Sequence, residues 1–71
     1  VSYITIHKAL VAHAKGEKEL HKANAEVYMQ NPVGIGEHSD ILEAIQKELD
    51  AMAKANDRLE MLKEFDDAVA S

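Results

Sequence analysis

At 71 residues, with 13 acidic against 8 basic side chains, a formal charge of −5 and no cysteine, the chain is one small domain. Those values exclude disulfides and thiolate metal sites, and they set a negative field that repels a phosphate backbone, so no direct nucleic-acid binding is expected. No apolar run approaches the roughly 20 residues of a membrane span, and the N-terminal block is too weakly apolar for a signal peptide, which makes a soluble, cytoplasmic protein the expectation.

The first predicted element is a helix over about residues 3–30. Tyr3, Ile6, Leu10, His13, Glu17, Leu20, Asn24 and Val27 recur at alternating steps of three and four, the spacing of a coiled-coil seam. The start at Val1 rather than Met points to a trimmed leader or tag, or to a fragment.

A loop is predicted over 31–39, NPVGIGEHS. It holds the only Pro and two of the three Gly, whereas both flanks are rich in good helix formers. Asn31 precedes Pro32 and is pushed out of the helical region, while Gly34 and Gly36 accept positive φ without steric cost. Ser39 or Asp40 is expected to cap the next helix, and Asp40 with Glu43 has capping-box spacing.

The second helix is predicted over about 40–69. Leu42, Ile45, Leu49, Met52, Asn56 and Leu59 repeat the seam spacing, after which Leu62, Phe65 and Val69 drift sideways as a register change requires. Folding back at the loop places facing residues at positions summing to 69, so Val27 should meet Leu42, Asn24 Ile45, Leu20 Leu49, Glu17 Met52, His13 Asn56 and Leu10 Leu59. The fold class is therefore all-α, an antiparallel two-helix hairpin.

Two helices without disulfides bury little, so a homo-oligomer is expected, a dimer forming a four-helix bundle first of all. One flank of the seam carries Ala9, Gly16 and Ala23 with Ile41, Ala55, Leu62 and Val69. This is the greasier flank and the expected subunit contact. The other carries Lys18, Gln46 and Glu60 among Ile4, Val11, Ala25 and Ala53 and is better suited to water. Met29, Met52 and Met61 read as packing residues.

Candidate chemistry is sparse. His13, Glu17 and His21 follow one another at i, i+4, i+8, a spacing that lets imidazole and carboxylate chelate an ion. His13 and His21 are about 12 Å apart along a helix, so one ion reaches only two of the three, and neither Glu-x-x-His nor His-Glu-x-x-His occurs. The favoured role for His13 and Glu17 is a polar layer with Asn56 that sets register. No metal or other cofactor is called for, with those three residues as the candidates if one binds.

Glu37-His38-Ser39-Asp40 superficially resembles a hydrolytic site, but adjacent loop residues point apart instead of converging on an oxyanion hole. Gly34-x-Gly36 lacks the Lys-Ser/Thr of a phosphate loop. Turn and cap chemistry is the expected role, with Val33, Ile35 and His38 as a potential docking tip. Asp57, Glu60, Glu64, Asp66 and Asp67 make the C-terminal end acidic, although Lys54, Arg58 and Lys63 are interspersed.

The stretch VYMQNPVGIGEHSDI, Val27 to Ile41, and the acidic helix after it resemble small open reading frames of tailed bacteriophages, particularly marine ones. The resemblance covers roughly the latter half of the chain and implies a phage accessory or assembly protein in a bacterial cytoplasm or a virion. It brings no activity or site residue with it. The functional expectation is a non-enzymatic, self-associating hairpin acting on itself or on another phage or host protein. The alternatives are a metal-binding bundle at His13, Glu17 and His21, and an acidic decoy for a host nucleic-acid-binding protein.

Overall fold

Ser2 starts the first helix: its hydroxyl accepts the backbone N–H of Thr5 at 3.1 Å and its carbonyl accepts that of Ile6 at 3.1 Å. These bonds satisfy donors that a helix N-terminus otherwise leaves free. From there α1 runs over Tyr3–Gln30 without interruption. The computed structural model describes residues 2–30 and 38–70, without the side chains at 38, 39, 69 and 70. The expected turn residues Asn31, Pro32, Gly34 and Gly36 lie outside the described residues, as do Val33, Ile35 and Glu37.

Helix α2 spans His38–Leu62, two residues earlier than expected. Ser39 and Asp40 therefore fall within its first turn instead of capping it, and Asp40 places a carboxylate near the positive end of the helix dipole. The second arm is also not one continuous α-helix. It tightens into a 3-10 turn at Lys63–Phe65, where the N–H of Asp66 bonds the carbonyl of Lys63, and resumes as a short α3 over Asp66–Ala70. The tightening falls where the apolar spacing drifts, because a 3-10 turn holds 3.0 residues instead of 3.6 and rotates later side chains around the axis.

The two arms pack along their lengths into a hairpin 56 Å long and 15 Å across. The mating faces differ from those expected. On α1 the residues turned toward α2 are His7, Val11, Ala14, Lys18, His21 and Ala25, each buried or half-buried. They too step by four and three, but one position beyond the predicted seam, which amounts to about 100° around the helix. On α2 the shift is smaller: Ile45, Met52 and Leu59 stay in the contact, while Ile41, Glu48 and Ala55 replace Leu42, Leu49 and Asn56 at its centre.

The physical reason lies in side-chain size. Ala14, Ala25 and Ala55, exposed by 1%, 3% and 1%, are the fully buried apolar residues among those described, and alanine lets two backbones approach closely. No large side chain among the described residues is fully buried. Polar contacts join positions that sum to 69 for His7 with Leu62 and for His21 with Glu48, rising to 75 for Glu17 with Arg58. Sums above 69 are expected for side-chain contacts, since helical side chains lean toward their own N-terminus. The arms thus fold back at about the predicted stagger, rotated relative to the predicted faces.

Candidate functional site

Rotation of α1 leaves the large apolar residues of its predicted seam on the outside, while Glu17 and Asn24 of that seam stay half-buried. Tyr3, Ile6, Leu10, Leu20 and Val27 are about half exposed or more, and Leu42 and Leu49 on α2 are exposed as well. At the end of the hairpin opposite the turn, the α1 residues border a groove with the second arm. Tyr3, Ile6, His7, Leu10, Leu62 and Phe65 line its outer part. Leu10, His13, Ala14, Arg58, Met61 and Phe65 continue it inward, with Lys54 and Asp57 at the margin. The 3-10 turn helps to build it by rotating Phe65 toward α1.

Toward the turn the same face becomes polar. A second depression there is lined by Tyr28, Asp40, Glu43, Ala44, Lys47 and Glu48. Eighteen residues are five whole helical turns, so Tyr28 shares a side of α1 with Leu10, and Asp40 shares a side of α2 with Arg58. On this face the second arm goes from Met61 and Phe65 at the open end, with Lys54, Asp57 and Arg58 beside them, to Asp40, Glu43 and Lys47 near the turn, while α1 keeps Leu20 and Val27 exposed.

The polar residues of the contact form a ladder. Asn24 Nδ2 donates to Glu48 Oε1 at 3.0 Å and His21 Nδ1 donates to Glu48 Oε2 at 3.1 Å. These two bonds, Asn24 first, hold the Glu48 carboxyl below its ordinary value, with the charge of His21 adding to them and partial desolvation opposing. Lys18 Nζ donates to Asn56 Oδ1 at 2.8 Å, and Arg58 reaches Glu17 at 3.2 Å. At the open end, His7 Nε2 donates to the carbonyl of Leu62 at 3.1 Å and lies 3.4 Å from Asp66 Oδ1.

The expected polar layer of His13, Glu17 and Asn56 is not assembled. His13 is exposed and meets Glu17 on its own helix, Glu17 turns to Arg58, and Asn56 takes Lys18. His21, one of the three candidate metal ligands, is turned to Glu48, away from His13 and Glu17. Among the described residues no group of three or more His, Cys, Asp or Glu comes together in a way that holds an ion.

The expected subunit contact is also divided. Ala55 is spent inside the hairpin, and Ile41 and Leu62 are half-buried there. Ala9, Gly16 and Ala23 are exposed, and a Cβ added at Gly16 would meet nothing within 4 Å. The side chain of Val69 lies outside the described residues. Sequence reasoning missed His7, Asn24 as a partner of Glu48, and the groove at Phe65. The drift of spacing after Leu59 was the available signal for the last of these.

Among the described residues no helix is long and apolar enough to cross a membrane. No family model matches the chain, and no curated protein or solved structure does so either.

Proposed function

We propose that this chain is a self-associating helical hairpin that acts through protein contact and not through catalysis. One observation carries this reading: twelve large apolar side chains among the described residues are exposed, while the fully buried apolar residues are three alanines. Two packed arms in that condition leave much apolar surface open, and a contiguous exposed apolar patch such as Tyr3, Ile6, Leu10, Met61 and Phe65 supports a protein contact site. The ionisable groups of the hairpin contact serve the contact itself, since His7, Lys18, His21 and Glu48 each bond across it. An accessory or assembly role of the phage kind agrees with such a module.

Sedimentation equilibrium at micromolar concentration tests the reading. The expected mass is twice the 7.8 kDa of the chain. A particle of 7.8 kDa with full helicity at all concentrations overturns it.

A further inference from the structure

The hairpin exposes 5514 Å². A monomeric globular protein of 7.8 kDa exposes about 4,400 Å², so this chain carries an excess of about 1,100 Å². A stable interface removes about 800 Å² from each partner. Part of that surplus follows from the elongated 56 × 15 × 15 Å shape; it is also the size of one side of a dimer contact, for which the open-end groove offers an apolar centre.

Resting on the self-association proposed above, we infer that the partner is a second copy bound groove to groove with both turns at the same end, each α1 lying beside the other copy's α2. Two two-fold arrangements bring the same face of two hairpins together. If the axis runs along the hairpin, open end meets open end and α1 neighbours the partner's second arm. If the axis runs across it, the open end of each copy meets the turn end of the other, with α1 against α1 and α2 against α2.

Two features of this chain separate the arrangements. Across-axis packing would press Leu10, Met61 and Phe65, with Lys54, Asp57 and Arg58 beside them, onto the polar depression of Asp40, Glu43 and Lys47. Covering those charged groups with Leu10, Met61 and Phe65 is costly where they lose water, whereas same-end packing sets Leu10 of one copy against Met61 and Phe65 of the other. Charge agrees. Helix α1 carries four lysines against three glutamates, while residues 38–70 carry four cations against nine carboxylates. Placing two such acidic arms side by side at a helix spacing of about 10 Å sets like charge within a Debye length of like charge. Same-end packing puts them on the diagonal.

The absence of cysteine allows single spin labels at Lys8→Cys and Glu26→Cys, both exposed and eighteen residues, or about 27 Å, apart on one side of α1. Distances are then measured between copies by pulsed electron resonance. Same-end packing makes the 8–8 and 26–26 distances shorter than the mixed 8–26 distance by at least about 10 Å. A shorter mixed distance overturns the orientation while leaving self-association intact. Loss of intercopy coupling together with a 7.8 kDa particle overturns the reading on which it rests. Leu10→Lys should abolish the coupling and Ala9→Lys should preserve it, and the reverse result moves the contact to the Ala9, Gly16, Ala23 strip.

Discussion

Glu48 is the residue on which the two helices are most tightly joined by polar bonds, since its carboxylate accepts from both Asn24 and His21. Its pKa in the folded chain lies below the ordinary 4.5. A group with a lowered folded pKa contributes stability above its unfolded value, and that contribution is lost as pH falls through the folded one. Acidification below about pH 4.5 should therefore lower the melting temperature of the native chain, and Glu48→Gln should flatten that slope while lowering stability at neutral pH. Equal slopes in thermal melts from pH 6 to pH 3 would show that Glu48 does not couple the helices. The importance of this position was hidden in the sequence, where Glu48 is one of nine acids in the second arm. Only the approach of α1 selects it.

At the scale of elements, the join between α2 and α3 shows how local spacing and long-range contact cooperate. The displaced apolar residues Leu62 and Phe65 announce a change of register, and the chain makes it through a 3-10 turn. What holds the turn is His7, fifty-five residues away, bonding the carbonyl of Leu62 and standing close to Asp66. Replacing His7 by Phe keeps an aromatic ring but removes the donor, at a cost of about 1 kcal/mol. Amide exchange should then accelerate over residues 63–70 and remain unchanged in the middle of α1. Uniform acceleration throughout would assign His7 to general packing instead. Ser2 was equally unexpected as a cap, although a hydroxyl residue just before a helical run is a recognised start signal.

For the whole molecule, folding and association should be one equilibrium. If the open ridge is closed by a second copy, the melting temperature rises with protein concentration, because mass action favours the associated state. Phe65→Lys, placed in the groove, should remove the concentration dependence and lower the melting temperature at high concentration, with helix content at low temperature retained. A concentration-dependent melt that survives Phe65→Lys would locate the contact elsewhere, along Leu42 and Leu49 for example.

Helix content, the antiparallel return and its stagger were all legible in the residue order. They follow from local properties: helix formers in both arms, breakers confined to one short stretch, and two apolar repeats of matching length. Which face of α1 meets α2 was not legible. Ile6, Leu10 and Leu20 mark an apolar ridge in either case, but periodicity is blind to which neighbour the ridge serves. Backbone approach settled it, since small residues at 14, 25 and 55 allow a closer contact than the bulky ridge does. The bulky ridge is thereby left outside, and with it the groove at Phe65 on which the proposed dimer depends.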